Sequence, residues 1–567
     1  MGAPIRGPRS GFAPRPLPIY NLSIRRNLSI RNPQSATRNG TVVAACVLFL
    51  CAPSAHAQPD AHAHAAPSSI VALELAKRPV TIRTGIGSAH DPVSTLSKRA
   101  QAFYDQGLAY LHSYVWVEAA RSFNQALRLD PTLALAQLGL TLAYTELNAS
   151  PAAHAALDRA KALAATDHDR RHVAARALQM AAEDVPADAA KLALYRVALD
   201  EALVAFPADE ELWLQRGQAE SPDPAERGQG SVAGSVRFYE KALALAPVHF
   251  AAHHYLTHAY ENSGRVADAL VQGQTYAKMA PAVPHARHMH GHDLRRVGRI
   301  DEAIVEFRAA DALESEYFKA EKIPVEYDWH YQHNLDLLAT SYQYIGQMKQ
   351  AEALLKTSFA ISSSLVGQEF NKREWPVFLL SRGRAQEALV AAAVMAAHRS
   401  PVVSAAGHVE AGRARLALGQ FKEAADEGNT ALRLMRGTEG AGLVADSLQA
   451  FQGEFLLRTG KADTGRPMLE DVVRKVRARP GPDAWAQALF TIEAIARAAR
   501  DVGNWELAAW AGRQMAEHDP NYAGSHYALA LVAEHHGDTL TARAERALVN
   551  KYWKNADPDL GELRTGK

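Results

Sequence analysis

Four histidines recur in step. His254 and His258 are four residues apart, and His288 and His292 repeat that spacing 34 residues further on. Side chains four apart on an α-helix lie on one face, so each pair presents two imidazoles together. Imidazole suits zinc, copper, nickel or iron, and such i, i+4 pairs are a recurrent ligand arrangement. The pairs belong to a wider concentration, because ten of the 24 histidines lie between His249 and His333, more than twice an even share. His285, His333 and Asp336 are further candidate ligands or partners that fix ring orientation. A competing reading needs no metal. Histidines of this kind also bond to a nearby tyrosine or carboxylate, here Tyr255, Tyr260, Glu261, Asp293 or Asp328. As a cluster they bind an anion or a peptide carboxylate more tightly below their ordinary pKa of about 6.5.

The elements that must carry these side chains are visible as a repeat. With Ala100 as unit position 1, Phe103 stands at 4, Gly107 at 8, Tyr110 at 11, Ala119 at 20, Phe123 at 24, Ala126 at 27 and Pro131 at 32. Small residues at 8, 20 and 27 let two helices approach, bulky ones at 4, 11 and 24 fill the gap, and the proline stops the second helix. The phase returns at 134, 210, 250, 284 and 332. Weaker copies near 369, 405, 446, 489 and 523 carry Gly383, Gly419, Gly460, Gly503 and Gly537 at the helix-helix turn. A degenerate pair near 176 brings the count to about a dozen units.

This pattern resembles the tetratricopeptide repeat family over roughly residues 98 to 550. The resemblance implies an all-α chain whose paired helices stack into a right-handed solenoid. The segments 254 to 260 and 284 to 292 also resemble a group of exported bacterial tetratricopeptide proteins, which supplies no function. His254 and His258 fall at positions 5 and 9, as do His288 and His292 in the next unit, while His285 and His333 take position 2 and Asp336 position 5. Positions 2, 5, 9 and 12 form one stripe, turned by about 100° from the packing stripe at 1, 4, 8 and 11. In the family that stripe faces a concave groove, so the resemblance implies a groove that binds a protein or peptide partner. His285, His333, Asp336, Tyr255, Glu261 and Arg295 are the candidate groove residues. Exposed arginines on repeat helices are usually solvated, which is the bland expectation for Arg295. Stacked helices lie about 8–10 Å apart, close enough for two His-x-x-x-His pairs to share one space. The alternative function is therefore a metal-binding protein or metalloenzyme using His254, His258, His288 and His292, with zinc or copper as the candidate metals. His290, at position 7, is expected to point away.

Two insertions interrupt the period, residues 219–231 and 315–328, and both flank the histidine region. Long loops in a compact array often serve as lids or binding loops, although loops also absorb extra length at little cost. No His-Glu-x-x-His pair, Gly-x-Ser-x-Gly elbow or phosphate-binding Gly-x-x-x-x-Gly-Lys occurs, so no reaction is specified. His535-His536 is expected to cap the end of its helix.

The amino terminus reads as an address. Seven arginines and no acids precede residue 58, then Thr41–Ala52 is apolar and Ala55-His56-Ala57 has the small-x-small form of a signal-peptide cleavage site. Residues 1–57 are read as a signal peptide and 58–97 as a flexible linker, with the repeat array over 98–555. Export to the periplasm or beyond is the expectation. The apolar run is shorter than the ~20 residues that span a bilayer, so no integral span is expected in the mature chain. Cys46 and Cys51 would leave with the leader, which excludes a disulfide framework or a thiol metal site downstream. The remaining chain has 55 basic against 61 acidic residues, near −6, which argues against nucleic-acid binding.

Overall fold

The computed structural model describes residues 67–563, apart from 439, 480 and 481. They belong to one compact unit, Asp60–Lys567. The expected leader and its two cysteines lie outside the described residues. What is described is all-helical, without a strand, and no helix in it is long and apolar enough to cross a membrane.

The architecture is a tetratricopeptide-like α-solenoid in which consecutive helices pack as hairpins and each hairpin leans on the next. The small and bulky positions explain the packing. Phe123 is wedged between Gly107 of its own unit and Gly139 of the next, where an added Cβ would come within 2.5 and 2.4 Å of ring carbons. Replacing such a fully buried ring by alanine costs about 3–5 kcal/mol. Gly217 against Tyr239 and Gly291 against Phe307 repeat the device. The turn glycines named above, and Gly264, Gly298 and Gly346 before them, all have positive φ. In the first two units the same place is held by Tyr114 (φ 60°) and Asn148 (φ 56°).

The array does not stay open. Helix Lys98–His112 returns to touch helix Phe250–Asn262, and helix Pro284–Arg296 touches helix Pro482–Asp501. Tyr344 donates to Asp519 (2.8 Å) and the Trp553 indole donates to the Tyr344 carbonyl (2.9 Å). The face expected to be a groove at the central units is thereby covered.

The segment expected to be a flexible linker is packed from Pro67 onward. It forms helix Ser69–Ala76 and then a non-periodic stretch that buries Val80, Ile86 and Ala89. The Gly85 carbonyl accepts from the Ala282 N–H (2.8 Å), and Gly87 lies against the Phe250 ring. Its order comes from these distant contacts and not from any local pattern. The insertion at 219–231 is a loop between helices Glu210–Gln218 and Val236–Leu245, as expected. The second insertion is shorter than expected, because helix Ile300–Glu321 runs on for seven residues past its start before Lys322 ends it in a left-handed turn.

Candidate metal centre

His254 and His258 come from helix Phe250–Asn262, His285, His288 and His292 from Pro284–Arg296, and His330 and His333 from helix Trp329–Tyr344. All but His333 are buried, with His254 and His288 at 0% exposure. The seven rings form one continuous cluster.

Two triads stand out within it, His254/His258/His285 and His288/His292/His333. In the first, His254 Nε2 lies 3.1 Å from His258 Nε2 and 3.0 Å from His285 Nε2. Its Nδ1 is 2.7 Å from the His112 carbonyl, which can only accept, so the proton of neutral His254 sits on Nδ1. Nε2 then carries a single in-plane lone pair that faces two other ring nitrogens. One lone pair accepts one good hydrogen bond, so protons alone satisfy this meeting poorly. Three nitrogens around a tetrahedral ion at about 2.0–2.1 Å would be separated by about 3.3 Å, close to what is seen.

The second triad is oriented in the same manner. The Asn334 amide donates to the Phe307 carbonyl (3.0 Å), which turns its oxygen toward His288 Nδ1 at 2.9 Å. His288 therefore keeps its proton on Nδ1, and its buried Nε2 has no hydrogen-bond partner. His330 sits between the triads, its ring centre 4.8 Å from that of His285 and 4.5 Å from that of His288. Its Nδ1 meets the buried Glu314 carboxyl and its Nε2 is likewise unpartnered.

Burial pushes the pKa of His254 down to about 3, and burial with the neighbouring imidazoles pushes His258, His285, His288 and His330 well down. These five rings are neutral in the physiological range and each keeps a lone pair, which is the ligand form. Glu261 lies behind both triads, with Oε2 3.9 Å from His258 Nδ1 and Oε1 3.6 Å from His292 Nδ1. Beside it, burial and the Glu261 charge push Asp293 well up, so that it holds a proton. Gly273 makes room for that pair, since a Cβ there would fall on Asp293 Oδ2.

The other expected groove residues are placed differently. Tyr255 is buried behind His254, its hydroxyl 2.8 Å from His112 Nδ1. Asp336 accepts from Ser358 (2.6 Å). Arg295, expected at the surface, is buried and donates to Thr340 (2.9 Å), because helix Pro482–Asp501 covers it. His290 points away, to Glu306, as expected. His535 lies in the last turn of helix Ala523–His535 with His536 as its C-cap, as expected, and His535 also stacks on Trp505 at 4.0 Å between ring centres.

Two further histidine-acid groups were not anticipated. His112 and His249 hold Glu211 between them (2.9 and 3.0 Å), and His168 and His172 converge on Asp209 (2.9 and 2.8 Å). The His168/His172 pair has the same i, i+4 spacing as the flagged pairs and lay open to the same reading. Its partner, the residue capping helix Glu210–Gln218, is distant in sequence.

Fold and site together define an α-solenoid with a buried polyhistidine core. No protein-family model matches the chain, and no curated protein matches it. Among solved structures it is similar to a tetratricopeptide repeat protein from Parabacteroides merdae (15% identity, 49% of this chain and 98% of that chain, TM-score 0.33). It is also similar to yeast Tom70 (13%, 76% and 92%, 0.35) and to the apo quorum sensor NprR from B. thuringiensis (10%, 69% and 98%, 0.40). These likenesses are of helical-repeat fold alone.

Proposed function

We propose that this protein is a helical-repeat scaffold built around a transition-metal centre, zinc or copper, held by His254, His258 and His285 with a second position at His288, His292 and His333. The observation that carries the reading is tautomeric. His254 and His288 each have Nδ1 committed to a carbonyl oxygen, and each thereby aims an Nε2 lone pair into the cluster. Metal-bound histidines are held in this way by the groups around them. Glu261 places a carboxylate 3.9 Å from His258 Nδ1 and 3.6 Å from His292 Nδ1, beyond hydrogen-bond reach but near enough to act on both rings through its charge. The leader pattern supports export, and loss of Cys46 and Cys51 would leave a centre of imidazole and carboxylate only.

The repeat fold also supports a protein or peptide partner. Because the histidines are buried, the proposed partner docks in this reading on surfaces away from them.

The test is metal content of the protein purified without a histidine tag, beside a variant carrying His254→Ala, His258→Ala, His288→Ala and His292→Ala that remains helical by circular dichroism. Bound metal in stoichiometric amount, lost in the variant, is the expected result. Absence of metal even after incubation with zinc or copper would sink the reading.

A further inference from the structure

A cavity of about 240 Å³ opens between the two insertions, on the outer side of Tyr114 and Trp329. Its walls are aromatic: Tyr114, Trp116, Tyr327 and Trp329, with the Tyr114 ring centre 5.3 Å from that of Trp116 and 6.1 Å from that of Trp329. Its charged lining is mainly acidic, with Glu146, Asp223, Glu226 and Glu326 against the single cation Arg227, beside neutral Ser68, Gln229, Ser363 and Ser364. That cation is already engaged by Glu146 (3.0 Å) and Glu183 (2.8 Å). Glu226 is half-buried and accepts from the Gly228 N–H (2.6 Å), and among the described residues no cationic side chain pairs with it.

Tyr114 adds an independent sign. Eight later turns place glycine in the left-handed conformation that this turn gives to a tyrosine. A bulky residue there is costly, and such strain gathers at ligand sites. The conformation is held by the Tyr114 hydroxyl donating to the Arg227 carbonyl (3.1 Å) and by the Trp329 indole donating to the Tyr114 carbonyl (3.1 Å). The first bond joins the insertion at 219–231 to the ring that forms the cavity's floor, and the second ties the residue just after the 315–328 insertion to that tyrosine's backbone.

We propose that this cavity binds a small organic ammonium ion, its charge laid on the Tyr114, Trp116 and Trp329 rings and balanced by Glu226 and Glu326. Aromatic faces attract cations through their quadrupole, and more strongly where water is excluded. The volume suits one compact headgroup. Tyr114 and Trp329 also contact His254, His285 and His333, so the ligand lies one ring away from the histidine core. Binding here needs no metal, and the proposal stands or falls separately from the metal reading.

The probe is choline, compared by calorimetry with its uncharged carbon analogue 3,3-dimethylbutan-1-ol, on protein stripped with a chelator and again after metal loading. Choline is expected to bind about tenfold or more tightly than the analogue, since only the cation gains from ring faces and carboxylates. Trp329→Leu and Glu226→Gln should each weaken it several-fold. Glu326 is exposed, so Glu326→Gln cannot fail for want of folding and should also weaken choline while leaving the neutral analogue unchanged. Equal binding of the two probes, no binding of either, or choline affinity indifferent to Glu226→Gln and Glu326→Gln would overturn the proposal.

Discussion

His254 donates its Nδ1–H to the main-chain carbonyl of His112 over 2.7 Å, across 142 residues of sequence. The bond ties the first repeat unit to the centre of the array and sets the tautomer of the central ring. Because the acceptor is backbone, the position of the first helix hairpin dictates the direction of the Nε2 lone pair. If the proposed centre holds a metal, its binding and closure of the array on itself are coupled for that reason.

His254→Gln keeps an amide of similar reach but removes the imidazole lone pair. A ligand that binds only the folded state at a hundred times its Kd adds about 2.7 kcal/mol of stability. The rise in Tm on adding zinc or copper should therefore shrink markedly in His254→Gln, measured by differential scanning calorimetry with and without metal. The same rise in variant and parent would remove His254 from the ligand set.

Tyr114 and Asn148 occupy equivalent turns with positive φ, yet the two should respond to glycine to different extents. Relief of the left-handed conformation is worth roughly 1–2 kcal/mol. Tyr114→Gly also removes a ring that is 4% exposed and packed on His254 and His285, a loss of about 3–5 kcal/mol for a large aromatic. A net loss of about 2 kcal/mol is expected from urea unfolding. Asn148 is exposed and asparagine tolerates this conformation, so Asn148→Gly should change stability by less than about 1 kcal/mol. Equal effects at the two sites would mean that the Tyr114 ring contributes nothing to the core.

The repeat and the histidine stripe were legible because a 34-residue period fixes the helical phase of every unit, and phase alone puts His254, His258, His288 and His292 on one face. His285 followed from the same register. Burial of that face was not legible. It depends on helix Lys98–His112 meeting Phe250–Asn262 and on Pro482–Asp501 meeting Pro284–Arg296, contacts that leave no mark in any single unit. The same reason hid His112 and His330, whose roles come from distant partners, and turned Arg295 from an expected surface residue into a core one. The stretch after Pro67 showed no periodicity because its order is borrowed from Phe250 and Ala282.

Asp91, in that borrowed-order stretch, supplies a pH test that is remote from the proposed ligands. It is buried and accepts from the Tyr104 hydroxyl (2.9 Å). Burial pushes its pKa from 3.8 up to about 7, the charges of Asp209 and Glu211 push the same way, and His172 and His168 oppose them. A carboxyl whose folded pKa is raised holds its proton in the folded state after the unfolded chain has lost it. Stability then falls as pH rises from about 4 to about 7 and levels off above, by up to ~1.4 kcal/mol per pH unit. Asp91→Asn keeps the shape and an acceptor for Tyr104 but cannot titrate. His168, His172, Asp209 and Glu211 remain in both chains, so the difference reads the Asp91 carboxyl together with its charge interaction with His172, whose pKa it helps to raise. Urea unfolding at pH 5 and pH 7.5 should show Asp91→Asn gaining on the parent by on the order of 2 kcal/mol between the two conditions. A stability difference that does not change with pH would show that Asp91 is ionised throughout, held by His168 and His172 as a buried ion pair.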